Sequence, residues 1–152
     1  MTNVSTSAEE DPLVSFNFAL DIAGSVTGFF TEVSGLGSET EVTDHVVVGQ
    51  NGQQITKKVP GRLKWGDITL KRGITTNLDI WTWRQQVETG DIAGARKNGS
   101  IIMYDQTGTE VARWNFERAW PSKVSGPSIS ASDSAVGVEE LTLVHEYIKR
   151  ES

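Results

Sequence analysis

The sequence contains no cysteine, and this absence removes disulfide bonds, thiolate metal sites and cysteine nucleophiles from consideration. It also lacks any run of about 18 consecutive apolar residues, which a membrane-spanning helix would need. The 152-residue chain has a net charge of −6, whereas a general nucleic-acid binder needs an excess of cations to neutralise phosphates. We therefore expect no stable membrane insertion and no specific nucleic-acid binding.

Catalytic and cofactor motifs are missing as well. His45 and His145 are far apart in sequence, and neither has a ligand partner two or four residues away. The chain contains no GxGxxG pattern, no P-loop and no nucleophile elbow. An enzyme that uses Glu139, Glu140 or His145 in a cleft is the weakest alternative, because nothing brings a nucleophile and a base together. We expect no catalytic residue, no cofactor and no metal.

The sequence does contain the alternation of apolar and polar residues that is typical of β-strands. A single helix is expected from about residue 77, capped by Thr76 or Asn77, with an apolar stripe that includes Leu78 and an end at Gly90. The composition predicts a flexible arm over residues 1–11 and one domain over residues 12–150. The segments expected to form strands are FNFALDI, GFFTEVSGL, ETEVTDHVVV, ITLKRG, SIIMYD, EVARWNFERAW and VEELTLVHEYIKR. Together they predict a mainly β fold, an antiparallel sandwich or barrel of about seven strands with one flanking α-helix and an extended hairpin loop.

The hairpin loop is expected over residues 46–63, with Asn51 and Gly52 at its tip. Cations are concentrated in and just after it, and a solvated loop is the simplest interpretation. The alternative is a docking surface that meets acidic residues of another copy, a heterologous contact that builds rings or open-ended stacks. The cations are Lys57, Lys58, Arg62, Lys64, Lys71 and Arg72, and the acidic candidates are Glu9, Glu10, Asp11, Glu39, Glu41 and Asp44.

Five tryptophans suggest a second function, because exposed indole rings form platforms for sugars. Trp81 and Trp83 fall on or near the helix stripe and Trp114 lies on an apolar strand face, so we expect these three to pack in the core. Trp65 and Trp120 flank loops and are candidates for an interface. A stand-alone β-sandwich module that binds carbohydrate or a cell envelope is therefore the alternative function.

Seven landmarks in order resemble one known family over about residues 12–150. They are FNFALDI, the VSGLGSE turn, the polar loop that ends in Pro60-Gly61, ITLKRG, LDIWTW, GTEVARWNFERAWPSKVSGP and VEELTLVHEYI. The family is that of the tail tube proteins of contractile phages and of phage-like contractile injection systems.

This resemblance implies a structural inner tube subunit and no catalysis. Six subunits would join into a ring with sheets that continue across subunits, and the rings would stack into a hollow tube inside a contractile sheath. The implied partners are further copies in a homo-hexamer, the sheath protein, baseplate or initiator tube proteins, and effector proteins or DNA as cargo in the lumen. The implied location is the cytoplasm during assembly, followed by a phage tail or phage-tail-like particle that can be released from the cell.

In the family, the long hairpin loop contacts neighbouring subunits and the adjacent ring, a role that falls here to residues 46–63. The strand ITLKRG would lead from that loop back into the body of the subunit. The residues expected at inter-subunit or inter-ring contacts are Asn51, Gly52, Lys57, Lys58, Pro60, Gly61, Arg62, Lys71 and Arg72.

Overall fold

The computed structural model describes residues 17–127 and 137–152, and every strand pair in it is antiparallel. The mainly β fold predicted from the sequence is confirmed, although the described ranges contain ten strands and two helices. The predicted N-terminal arm and Phe16 lie outside these ranges. The strands are β1 (Asn17–Ile22), β2 (Ser25–Phe30), β3 (Glu32–Ser34), β4 (Ser38–Val48), β5 (Gln54–Trp65), β6 (Ile68–Gly73), β7 (Lys97–Tyr104), β8 (Glu110–Ser125), β9 (Val138–Val144) and β10 (Tyr147–Arg150); the helices are α1 (Asp79–Glu88) and α2 (Ile92–Ala95).

The body of the molecule is one eight-stranded sheet folded into two layers. Its strands follow the order β2-β1-β7-β8-β9-β6-β3, with β10 paired to β8. Strand β8 belongs to both layers because its first part pairs with β7 and its last part pairs with β9. Arg118 has a φ of 55° and lies near the point where β8 passes from pairing with β7 to pairing with β9. Alternate side chains of both layers point inward and form the core. The core includes Leu20, Phe30, Ile101, Phe116, Ile68, Leu70, Leu141 and Leu143.

Helix α1 packs against this core through the buried side chains of Ile80 and Trp83. The indole Nε1 of Trp83 donates to the carbonyl of Ala95 at 2.7 Å, which attaches the one-turn helix α2. Thr76 and Asn77 were the predicted caps, but the N-cap residue is Leu78, which forms no side-chain capping hydrogen bond. Asn77 lies one residue before it, and its Oδ1 accepts the backbone N–H of Asp79 at 2.8 Å. The expected place of Leu78 in the buried stripe was wrong, because this side chain precedes the first helical residue and is 64% exposed.

Two other boundaries differ from expectation. The predicted strand EVARWNFERAW ends at Trp120, but β8 continues to Ser125 because Pro121 lies at a register shift, where a missing backbone donor is tolerated. The C-terminal run was expected to be one strand. It breaks at His145 and Glu146, since β9 pairs with one layer and β10 with the other.

Strands β4 and β5 form a separate two-stranded sheet, called here the ribbon (residues 38–65). The expected loop over residues 46–63 is mostly strand, and only residues 49–53 form the turn. The predicted tip is confirmed, since Gly52 has a φ of 76° and the amide of Gly49 donates to Gln53 at 2.7 Å. The loop-like residues Pro60 and Gly61 are accommodated because the register shifts beside Val42.

Candidate assembly interface

The ribbon exposes almost its entire length. In β4 only Val47 is half-buried and in β5 only Trp65, while every other residue of the two strands is exposed. An isolated two-stranded hairpin is marginally stable in water, and clustered exposed apolar side chains mark interaction sites. The large apolar residues exposed on the ribbon are Val42, Val46, Val48, Ile55, Val59 and Leu63. These features are typical of an interaction surface.

The two faces of the ribbon differ in charge. Residues that pair directly across two antiparallel strands lie on the same face of the sheet. One face of the ribbon, called here the valine face, carries Val42, Asp44, Val46 and Val48 of β4 and their partners Pro60, Lys58, Thr56 and Gln54 of β5. The Nζ of Lys58 lies 2.7 Å from the Oδ1 of Asp44, and this ion pair leaves the valine face nearly neutral. Lys57 projects from the opposite face and forms no ion pair with another described residue.

Seven of the predicted contact residues come together on the ribbon, and all seven are exposed. Asn51 and Gly52 form the tip, and the other five, Lys57, Lys58, Pro60, Gly61 and Arg62, follow along β5. In the docking alternative, the acidic residues Glu41 and Asp44 were candidates to face cations of another copy. Each instead pairs within the ribbon, to Lys64 and Lys58, at 2.7 Å in both cases. That the seven residues contact a neighbouring subunit stays a prediction.

The two remaining predicted residues lie in the body, on β6. Lys71 is half-buried in a row between Glu32 and Glu140 on the adjacent strands. Arg72 is only 4% exposed, which does not fit a direct contact with another subunit. The alternation of Ile68 and Leu70 with polar residues puts Arg72 on the inward face, and this period-two pattern was the signal that could have shown it.

Arg72 is the centre of a buried polar network that the sequence did not predict. Its Nε donates to the Oε2 of Glu139 at 2.8 Å, and its Nη2 donates to the carbonyl of Asn77 at 3.2 Å. The other carboxylate oxygen of Glu139 accepts the indole N–H of Trp81 at 2.5 Å. The side chain of Asn77 donates to the carbonyl of Thr27 at 2.9 Å. The network therefore connects β6, β9, α1 and β2, whose residues are too distant in sequence for any local pattern to pair them.

The residues considered above for catalysis, metal binding and sugar binding were also located in the structure. His145 is a packed histidine, as expected, with Nε2 3.0 Å from the carbonyl oxygen of Gly66 and its ring 5.9 Å from that of Trp65. No group of three potential metal ligands occurs among the described residues.

All five tryptophans are buried or half-buried, so the exposed platform on which the sugar-binding alternative depended is not present. In residues 17–127 and 137–152, no helix has the length and apolar character needed to cross a bilayer.

Comparison with known proteins relates this architecture to tube proteins. The family model described as T4-like virus tail tube protein gp19 matches residues 14–149. A chain from the sheath-tube complex of the extracellular contractile injection system PVC, in its extended state, is 23% identical, with a TM-score of 0.77 over 100% of this chain and 99% of that one. A chain from the tube-terminating cap of the anti-feeding prophage is 21% identical, with a TM-score of 0.75 over 94% of this chain and 93% of that one.

A more distant likeness is to Hcp1 from Flavobacterium johnsoniae, which is 16% identical with a TM-score of 0.52 over 88% of this chain and 93% of that one. No curated protein sequence matches the chain. At these identities the solved structures establish the fold, and the family model carries the assignment to a family.

Proposed function

Because the chain belongs to the T4-like virus tail tube protein gp19 family, we propose that it is the structural inner tube subunit of a phage-like contractile injection system. Copies of the chain form homo-hexameric rings, and the rings stack into a hollow tube surrounded by a contractile sheath. Contraction of the sheath drives the tube into a target, and the lumen conveys effector proteins or DNA. The subunit acts mechanically, and we assign no catalytic step to it.

The ribbon is the single observation that carries this proposal. It holds six of the exposed large apolar side chains, and nearly all of its residues face water. Burying apolar surface stabilises by about 25 cal/mol per Å², so a ribbon of this composition favours association over solvation. The ribbon of one copy meets the body of the next, which is a different surface, so the contact is heterologous, and such contacts close into rings or continue as stacks.

The remaining partners follow from this role. The outer wall of the tube meets the sheath protein, and the ends of the tube meet baseplate or initiator tube proteins and a terminating ring. Subunits assemble in the cytoplasm as part of a phage tail or phage-tail-like particle, and the finished particle is released from the cell.

Charge reversal on the ribbon tests the proposal. The combined variant Lys57→Glu, Lys58→Glu and Arg62→Glu reverses three exposed cations of β5 that are predicted to contact the neighbour, so tube growth should stop while the eight-stranded body keeps its fold. The measurement is negative-stain electron microscopy of the purified protein, with circular dichroism to check the fold. Tubes of normal length from this variant count against the proposal.

The matched control applies the same change of charge outside the ribbon. Arg96, Lys123 and Lys149 are exposed on the body, and their combined replacement by glutamate alters the net charge equally. We expect this control to assemble. If both variants fail alike, net charge and not the ribbon decides assembly, and the role given to the ribbon is wrong.

A further inference from the structure

The loop between β6 and α1, residues 74–78, presents apolar side chains to water although polar contacts hold it firmly. Ile74 is 56% exposed and Leu78 64% exposed. Val138, 45% exposed, lies beside Ile74, because Gly73 pairs with Val138 and the amide of Ile74 donates to the carbonyl of Gly137 at 3.0 Å. Ile74, Leu78 and Val138 are called here the loop patch.

The buried network fixes the loop patch in place. The guanidinium of Arg72 holds the carbonyl of Asn77, and the side-chain amide of Asn77 both accepts from the amide of Asp79 and donates to Thr27. The amide of Asn77 in turn donates to the hydroxyl of Thr75 at 3.1 Å. A loop with this many internal hydrogen bonds loses little conformational entropy when it binds, which is the property of a preorganised docking site.

The valine face of the ribbon is the complementary surface. Among the residues that the structure describes, the body exposes five large apolar side chains, and three of them form the loop patch: Phe29, Ile74, Leu78, Val138 and Tyr147. Three exposed valines lie on the valine face, and the Asp44–Lys58 ion pair leaves that face with little net charge. The ammonium group of Lys58 has three donors and gives one to Asp44, so donors remain for Asp79, which is exposed next to Leu78.

We propose that the valine face of the ribbon docks on the loop patch of a second copy of the chain. This inference rests on the proposed tube function and specifies which surface of the neighbour receives the ribbon. In this contact Arg72 is a positioning residue: it holds the loop that binds, and it does not itself touch the neighbour.

Site-directed crosslinking tests the contact directly, because the chain has no cysteine of its own. Val46→Cys and Leu78→Cys are prepared as separate proteins, one with a size tag, then mixed, assembled and treated with a short bis-maleimide. We expect a crosslinked product of mixed size on a denaturing gel. The control mixes Val46→Cys with Lys149→Cys, which places the second cysteine on an exposed position of β10, and should give no such product.

Assembly measurements supply the second test, with Phe29→Ser as the matched control for Leu78→Ser. The two side chains are 62% and 64% exposed, and only Leu78 belongs to the loop patch. We expect Leu78→Ser to raise the protein concentration needed for assembly about tenfold, and Phe29→Ser to change it less than about twofold.

The outcomes separate the two proposals. A wild-type chain that remains monomeric at every concentration overturns both the tube function and the docking. A wild-type chain that forms tubes, without the Val46–Leu78 crosslink or with Phe29→Ser as harmful as Leu78→Ser, overturns the docking alone. Poor labelling of Leu78→Cys in the monomer also overturns it, since the loop patch would then be covered within one chain.

Discussion

The side chain of Arg72 lies in the interior, where it is paired with the buried carboxylate of Glu139. Taking two charges out of water is costly, so a buried ion pair is by itself weak evidence for stability. Glu139 also accepts a hydrogen bond from the indole of Trp81, and Arg72 donates one to the carbonyl of Asn77. The guanidinium carbon of Arg72 lies 5.1 Å from the ring centre of Phe30. The residue therefore fixes the position of neighbouring elements more than it adds free energy.

Replacing Arg72 should be strongly destabilising. Arg72→Leu leaves Glu139 as an unpaired buried charge, so we expect the free energy of unfolding to fall by about 3–5 kcal/mol in urea denaturation. The exposed pair gives the contrast, since Lys58→Leu should cost no more than about 1 kcal/mol. The double variant Arg72→Leu with Glu139→Leu should be more stable than the single one. Equal losses from Arg72→Leu and Lys58→Leu would contradict this account.

Asp105 lies in the exposed turn between β7 and β8, and its carboxylate accepts hydrogen bonds that hold this turn together. The hydroxyl of Thr107 donates to its Oδ1 at 2.6 Å, and the amide of Thr109 donates at 3.0 Å. These hydrogen bonds, with that of the Thr107 side chain the largest cause, lower the pKa of Asp105 from its ordinary value.

The turn should accordingly loosen in acid. Because the pKa of Asp105 is lower in the folded chain than in the unfolded one, its stabilising effect is complete above the unfolded pKa. That effect disappears as the pH falls through the folded pKa. In an NMR titration, the amide shifts of Thr107 and Thr109 should follow this carboxylate, and Thr107→Ala should raise the pKa of Asp105. Amide shifts that titrate unchanged in Asp105→Asn would show that another group is responsible.

Among the elements, the turn from β3 into the ribbon depends on one glycine. Gly35 has a φ of 85°, and a Cβ there would lie 1.9 Å from the carbonyl oxygen of Asp67. Gly37 lies two residues on in the same turn, and a Cβ there would meet no atom within 4 Å. The base of the ribbon is thus fixed by a close approach of two backbone segments.

Alanine substitution separates these two glycines. Gly35→Ala combines an unfavourable backbone conformation with a clash against Asp67, so we expect it to lower the free energy of unfolding by about 2 kcal/mol. Gly37→Ala should stay within about 0.5 kcal/mol of the wild type. Thermal and urea unfolding give both values, and similar losses at the two sites would exclude the close approach as the cause.

The ribbon itself should be the least protected sheet in the monomer. Its strands have only each other as partners, whereas β7 and β8 lie inside the eight-stranded sheet. Exposed backbone hydrogen bonds open locally at low free-energy cost. In hydrogen-exchange mass spectrometry, residues 38–65 should exchange faster than β7 and β8 in the monomer and become protected in tubes. Protection of the ribbon that does not change on assembly would argue against its role as the contact element.

At the scale of the whole molecule, the proposed tube role predicts that folding and assembly are coupled. In the proposed docking, only the folded subunit presents both the ribbon and the loop patch, so association should stabilise the folded state by mass action. At a concentration about a hundredfold above the dissociation constant, the gain is about 2.7 kcal/mol.

The melting temperature should therefore depend on protein concentration. For a chain of this size we expect Tm to rise by roughly 5–10 °C between the monomeric and the assembled range. The charge-reversed ribbon variant should melt at one temperature throughout. Differential scanning calorimetry gives the comparison, and a wild-type Tm that is independent of concentration would contradict coupled assembly.

The sequence by itself determined the features that depend on neighbouring residues. Alternation predicted the strands from Phe18 to Ile22 and from Ile68 to Gly73, and a capping residue with a helical stripe predicted α1. The Asn51-Gly52 pair predicted the tip of the ribbon, because Gly52 adopts the positive φ that the turn needs. Each of these signals acts within a few residues along the chain.

The tertiary structure decided what each surface faces. Leu78 belongs to a helical apolar stripe by spacing, yet it is exposed because the helix begins after it. Arg72 looks like a surface cation, yet it is buried because Glu139, 67 residues later, meets it across β6 and β9. Residues 54–63 look like a loop, yet they form a strand because β4 pairs with them. Burial and strand pairing depend on residues far apart in sequence, so local periodicity predicts the elements but not the partners that they contact.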